Sequence, residues 1–267
     1  MHNHQKCQKN VWILSGTADG PILAEMLLGQ GFIVFVSVVT YKASMSYKKH
    51  SKLHIITGQL TESKQITDFI FKNNIQDVID ATHPFAMIIS NNLKEACENI
   101  KVNLFRLERN YENKMFSAKK IISDFREVGN NEIVNKNILL AIGSRSLDLI
   151  AQYYLDHGAN IFARVIATPE SISKAFSSCI KSSNIAILNP SKDIEMKLEK
   201  KLCSYWSIDY VICRESGGYS QKIWEDVCFD CDIQLFLLKR PSIINQENMF
   251  CNYDDLINEI IDKKNIS

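Results

Sequence analysis

Several absences narrow this 267-residue chain before any motif is read. Its positive and negative charges nearly cancel, leaving a formal charge of +1. No field exists to recruit nucleic acid or a membrane surface, and neither is expected as a partner. No apolar run approaches the roughly 20 residues that a membrane span needs. Residues 1–10 are polar and lack the apolar core of a secretory signal, so a cytoplasmic protein is expected. Low-complexity tracts and short-period repeats are missing. There are eight cysteines, but Cys228-x-x-Cys231 has no second such pair and no nearby histidine to complete a tetrahedral site. Cys97, Cys213 and Cys251 sit in apolar or helical contexts, where a free thiol packs as a small hydrophobe. No structural metal is expected. At 46% hydrophobic and 23% charged residues, the composition is that of an ordinary globular protein.

What is present is a regular alternation. Strand-like runs at 11–14, 33–39, 53–56, 78–79 and 102–106 are separated by helix-like stretches at about 22–30, 62–73 and 86–99. Gly31 is placed to cap the first helix. Residues 107–136 break the rhythm with a charged, poorly periodic stretch containing Lys119-Lys120 and Asn130-Asn131. Strand-like runs then resume at 138–142, 161–165, 185–188, 210–213 and 234–238. Helices are expected between them at about 145–156, 170–180, 191–206 and 219–229, and a last one at about 253–264. This pattern predicts an α/β fold with mainly parallel sheets flanked by helices. It is read as two domains, 1–120 and 121–267, with a cleft between them, in a monomer.

An open parallel sheet presents its chemistry at the carboxyl ends of its strands. Six segments fall there. Ser15-Gly16-Thr17-Ala18-Asp19-Gly20-Pro21 follows the first strand and opens a helix. Its glycines allow close backbone approach, and the helix start offers N–H groups to an anion, although the spacing is not G-x-G-x-x-G. A tight strand-to-helix turn explains the same residues. The second strand ends in Thr40-Tyr41-Lys42, with no acid there to bind ribose hydroxyls, which favours a 2′-phosphate over NAD; a solvated lysine loop is the plain alternative. Asp80-Ala81-Thr82-His83-Pro84-Phe85-Ala86 follows a short apolar run, with Pro84 suited to the first turn of a helix; Asp80 or Thr82 as a helix cap and His83 as an ordinary turn residue explain the same residues. In the second half, Gly143-Ser144-Arg145, Arg164 and Arg214-Glu215-Ser216-Gly217-Gly218 all end strands. Arg164 and Arg214 suit bidentate recognition of carboxylates, and each reads equally as an ordinary surface arginine.

Taken together, Gly-Thr-x-Asp-Gly, Asp-Ala-Thr-His-Pro-Phe-Ala, Arg106-Leu107-Glu108-Arg109, Ser216-Gly217-Gly218 and Lys239-Arg240-Pro241 resemble the precorrin-6A reductase family of corrinoid biosynthesis, over about 11–245. The resemblance implies two Rossmann-like domains. It also implies reduction of one double bond of a corrin-precursor tetrapyrrole with NADPH or NADH, the substrate of anaerobes carrying cobalt. Under it Gly16, Thr17, Asp19, Gly20, Thr40 and Lys42 hold the cofactor, and Thr82 and His83 are the catalytic candidates. Arg109, Gly143, Ser144, Arg145, Arg164, Arg214, Ser216, Gly217 and Gly218 meet the carboxylate-bearing substrate. Pro21, Tyr41-Lys42-Ala43, Asn110, Leu188-Asn189-Pro190-Ser191 and Arg214 depart from the family's usual pattern. These departures keep a second reading open, a binding relative that retains the fold without turnover.

Overall fold

The computed structural model describes residues 9–60, 62–108, 116–189, 196–241 and 248–266. The chain divides into two compact units, Met1–Asn110 with Pro241–Ser267, and Tyr111–Arg240.

In the first unit the chain runs through β1 (Asn10–Ser15), α1 (Asp19–Gly29), β2 (Ile33–Val38), α2 (Tyr41–Ser44), β3 (Leu53–Thr57), α3 (Ser63–Lys72), β4 (Asp77–Ala81), α4 (Met87–Ile100) and β5 (Asn103–Leu107). The second unit contains β6 (Lys119–Ile122), α5 (Asn130–Ile133), β7 (Asn137–Ala141), α6 (Leu147–Asp156), β8 (Asn160–Val165), α7 (Pro169–Phe176), β9 (Ile185–Ile187), α8 (Lys197–Tyr205), β10 (Tyr210–Arg214), α9 (Tyr219–Cys231) and β11 (Gln234–Leu238). The chain then returns to the first unit as β12 (Met249–Phe250) and α10 (Tyr253–Ile266).

Each unit holds a six-stranded sheet, ordered β12-β5-β4-β1-β2-β3 and β6-β11-β10-β7-β8-β9, and every pairing is parallel. Parallel strands need crossover helices, and these cover both faces of each sheet. Along β1, Val11 and Ile13 pack with Leu23, Ala24 and Leu27 of α1 and with Leu256, Ile257 and Ile260 of α10. Trp12 and Leu14 point the other way, toward Ile66 and Ile70 of α3 and Leu93 and Ala96 of α4. The second unit repeats this. Leu140 packs with Ile150, Ala151 and Tyr154 of α6. Leu139 packs with Ile223, Trp224 and Val227 of α9.

Helix α1 stops where Gly31 enters a left-handed conformation, φ +84°. Gly31 N–H then donates to Leu28 O at 3.0 Å and Phe32 N–H to Leu27 O at 3.2 Å, which satisfies two terminal carbonyls.

Three sequence expectations are corrected. Two of the four edge strands, β6 and β12, were not foreseen, because each is short and lacks a long apolar run. Residues 241–267 belong with the first unit rather than the second, since β12 extends its sheet and α10 fills its core. Helix α4 starts at Met87, so Pro84 lies before it, inside a turn closed by Ala86 N–H donating to His83 O at 2.8 Å.

Candidate active site

Ligands of doubly wound sheets sit where the strand order reverses, outside the carboxyl ends of the strands. In the first unit that point lies between β1 and β4, and the loops after both strands are bonded together. Gly16 N–H donates to Ala81 O at 3.5 Å. The Thr17 hydroxyl lies 3.2 Å from the same carbonyl and 2.7 Å from Asp19 Oδ2. The other oxygen of Asp19 accepts the Tyr253 hydroxyl of α10 at 2.8 Å. Asp19 is only 6% exposed, so its carboxylate organises the turn and is turned inward.

Both glycines of this turn sit at close approaches. A Cβ on Gly16 would lie 3.4 Å from the His83 nitrogen. One on Gly20 would lie 2.0 Å from Ser15 Oγ and 2.3 Å from the Tyr47 hydroxyl, so only glycine lets α1 lie this close to β1. Ala18, the residue before helix α1, makes no side-chain cap, and the Asp19 N–H donates to the Thr17 hydroxyl at 3.3 Å, so the helix start remains a place where an anion can be met. A glycine turn, close helix-to-strand packing and such a helix start fit the pyrophosphate of a dinucleotide.

Across the reversal point, Asp80 and Arg106 form an ion pair at 2.7 Å with neither side chain exposed. Asp80 Oδ1 accepts both the Thr82 N–H at 3.0 Å and the Thr82 hydroxyl at 2.7 Å. Arg106 Nη1 donates to Thr82 Oγ1 at 3.1 Å and to Ser90 Oγ at 3.4 Å, while its Nε lies 3.4 Å from Glu108 Oε2. The Thr82 hydroxyl is therefore engaged on both sides, as donor and as acceptor. The next residue, His83, is half-buried, and its Nδ1 accepts Phe85 N–H at 3.2 Å. In the neutral ring the proton is then on Nε2.

After β2, Thr40 caps α2 by accepting Ala43 N–H at 3.2 Å. Lys42 is exposed, whereas Lys48 pairs with Glu25 at 3.0 Å.

In the second unit the order reverses between β7 and β10. Gly143, at φ +76°, lies beneath Arg214: a Cβ there would be 3.5 Å from Nη1. Arg214 Nη2 is 3.5 Å from Ser146 Oγ at the start of α6. Burial, with Arg145 adding like-charge repulsion, holds the Arg214 guanidinium below its ordinary pKa. Arg214, held against Ser146 at the start of α6, is the cationic group of this reversal point.

Ser144 turns instead toward Ser171, at 3.4 Å. Arg164 is 7% exposed; burial lowers its pKa and Glu199 of α8 opposes that shift. The loop after β10 is bonded to itself. Ser216 N–H donates to Arg214 O at 2.8 Å, Gly218 N–H to Ser216 Oγ at 3.4 Å and Gly217 N–H to Gln221 Oε1 at 2.8 Å. Arg109, Asn110, Pro190 and Ser191 lie outside the described residues.

Sequence reasoning missed Ser90, Tyr253, Gln221, Glu225 and Lys119, whose partners are remote or lie a helical turn away. Among the described residues, no cluster of three or more His, Cys, Asp or Glu is arranged to hold a metal ion. No described helix is long and apolar enough to cross a membrane.

Two doubly wound parallel sheets, with a glycine turn opening α1 at the first reversal point, define an α/β protein of two Rossmann-like units with a dinucleotide-type turn. A family model described as Precorrin-6x reductase CbiJ/CobK matches residues 10–260, and the chain belongs to that family. It is therefore a reductase of cobalamin biosynthesis, working with a nicotinamide cofactor.

Similar proteins span nearly the whole chain. The cobalt-precorrin-6A reductase of Synechocystis sp. is 28% identical over 253 residues, 90% of this chain and 95% of that protein. The cobalt-precorrin-6A reductase of Methanocaldococcus jannaschii is 25% identical over 260 residues, 96% of this chain and 99% of that protein. The solved structure of the CobK precorrin-6A reductase superposes with a TM-score of 0.74 at 18% identity, covering 96% of this chain and 97% of the other, and supports the fold.

Proposed function

We propose that this protein reduces one ring double bond of precorrin-6A, or of its cobalt-bearing form, to the dihydro product. We assign NADPH as the donor, and a monomer in the cytoplasm as the working form. The bound nicotinamide supplies the hydride.

The observation that carries this reading is the bonding of the β1 and β4 loops through Gly16, Thr17 and the Ala81 carbonyl. It holds the α1 N-terminus and His83 in one fixed arrangement, as positioning for hydride transfer requires. The first-turn N–H groups of α1 bind the cofactor's pyrophosphate, with Gly16 giving the clearance. His83 orients the nicotinamide or relays a proton, and Thr82 holds the His83 backbone in place. Lys42, exposed at the end of β2 with no acid beside it in Thr40-Tyr41-Lys42, meets the 2′-phosphate that distinguishes NADPH. On the second unit, Arg145 and Arg214 take a carboxylate arm of the substrate, assisted by Ser146.

The test is anaerobic incubation of the purified protein with precorrin-6A or cobalt-precorrin-6A and either nucleotide. A shift in the tetrapyrrole's visible spectrum, matched by loss of the reduced nucleotide's absorbance, is expected, and faster with NADPH. No turnover of either substrate with either nucleotide overturns the reading. Dinucleotide stabilisation without turnover would instead identify a binding relative. His83→Ala lowers kcat by about 10²-fold while leaving the folded state intact; unchanged kcat would make His83 a turn residue only.

A further inference from the structure

Beneath the Arg214 loop runs a buried polar chain that the proposed mechanism does not use. Gly217 N–H donates to Gln221 Oε1 at 2.8 Å. Gln221 Nε2 donates to Glu225 Oε1 at 3.0 Å, and the same oxygen accepts from the Lys119 ammonium of β6. Gln221 and Glu225 stand four residues apart on the inner face of α9, each 1% exposed. Lys119 and Glu225 form an ion pair with 1% of each side chain exposed.

A chain of this kind adds little to stability, because desolvating the charges offsets most of their attraction. It is specific in direction, however. A glutamine accepts at one end and donates at the other, so the Glu225 charge reaches the Gly217 amide through a single rigid amide group. Gly217 has φ +64° and is held in this conformation two residues before α9 starts. The other end of the same short loop is Arg214, tied through Ser216 N–H to Arg214 O.

We propose that Gln221 is a positioning residue for the substrate-carboxylate site. Anchored by Glu225 and Lys119, it fixes the 214–218 loop and so sets where Arg214 meets an anion. The proposal rests on the reading of Arg214 as a carboxylate clamp.

The discriminating variant is Q221E. Its introduced carboxyl has the shape of the glutamine amide. When protonated it accepts from Gly217 N–H and donates to Glu225; when ionised it has no proton to give and faces a second carboxylate. Paired carboxylates raise the pKa of one partner, so the introduced group changes state in the accessible pH range. The titratable groups around it and Glu225 are Lys119 and the buried thiols of Cys213 on β10 and Cys228 on α9, both pushed up by burial and by Glu225.

The expected result is a KM for the tetrapyrrole about five- to tenfold above wild type near pH 8. It returns to the wild-type value as the pH falls toward about 6, with the dissociation constant for NADPH unchanged throughout. A KM equal to wild type at every pH in a folded protein overturns the proposal. Should Q221E not fold, Q221N, whose shorter side chain does not span both partners, must raise the KM at all pH values. A wild-type KM in Q221N likewise overturns it. Arg214→Ala, measured alongside, separates the two claims. If it leaves the KM unchanged, the clamp itself is wrong; if it raises the KM while Q221E does not, only the role of Gln221 falls.

Discussion

Asp80 and Arg106, on neighbouring strands of the first sheet, form an ion pair at 2.7 Å in which neither side chain has any exposed surface. Arg106 faces Asp80, Thr82, Ser90 and Glu108 together, so each group limits the freedom of the others. Buried pairs contribute little net stability but are costly to break. The pair is bonded to Thr82, the residue before His83, and so ties the His83 turn to the sheet at the first unit's reversal point.

Breaking the pair from one side exposes that asymmetry. Asp80→Asn and Arg106→Met should each cost about 3–5 kcal/mol, because each leaves a buried charge without its partner. The double variant should lose much less than the sum. Urea titration of the three proteins gives the coupling energy; additive losses would mean the two groups act independently.

The Tyr253 hydroxyl links the C-terminal helix to the nucleotide turn through Asp19. Tyr253→Phe keeps the ring and removes only that bond. It should weaken dinucleotide binding about three- to tenfold, the equivalent of one hydrogen bond, with little change in Tm. Titration of nucleotide fluorescence without substrate measures this directly.

Gly20 tolerates no side chain. Gly20→Ala places a methyl group 2.0 Å from Ser15 Oγ and should destabilise by about 1–3 kcal/mol or more, together with loss of nucleotide binding. Adding Ser15→Gly, which removes both the hydroxyl and the Cβ in the way, should restore part of the lost Tm.

Asp77 is fully buried, and desolvation raises its pKa against the hydrogen bond from Asn103 and the attraction of Lys9 and Lys263. A carboxylate whose folded pKa lies above its unfolded value costs stability at neutral pH. That cost fades as the pH drops through the folded pKa and is gone below the unfolded one. Asp77→Asn should therefore raise Tm at pH 7 by about 2–4 °C. The gain should shrink in acid, and calorimetry from neutral to acid pH tests both the sign and the trend.

Most of the fold was legible in the chain. The apolar runs at 11–14, 33–39, 138–142 and 210–213 are strands, because a parallel strand buried on both faces needs an apolar side chain at nearly every position. The strand ends were legible too, since Gly16, Thr82, His83, Gly143 and Arg214 interrupt those runs with polar or small residues. The outer strands escaped because their neighbours define them. Met249 and Phe250 are strand only by pairing with Arg106 and Leu107. Lys119 and Lys120 read as solvated charge until β11 and Glu225 are beside them.

The sequence by itself determined the two parallel sheets, the loops at their carboxyl ends and the family to which those loops point, because these follow from local periodicity and residue type. Only the tertiary structure decided which polar groups meet. Asp19 is held by a tyrosine 234 residues away, Asp80 by Arg106 on the next strand, and Gly217 by a chain ending at Lys119. A hydrogen bond acts over about 3 Å of space whatever the separation along the chain, so these partnerships exist only once the strands are in register.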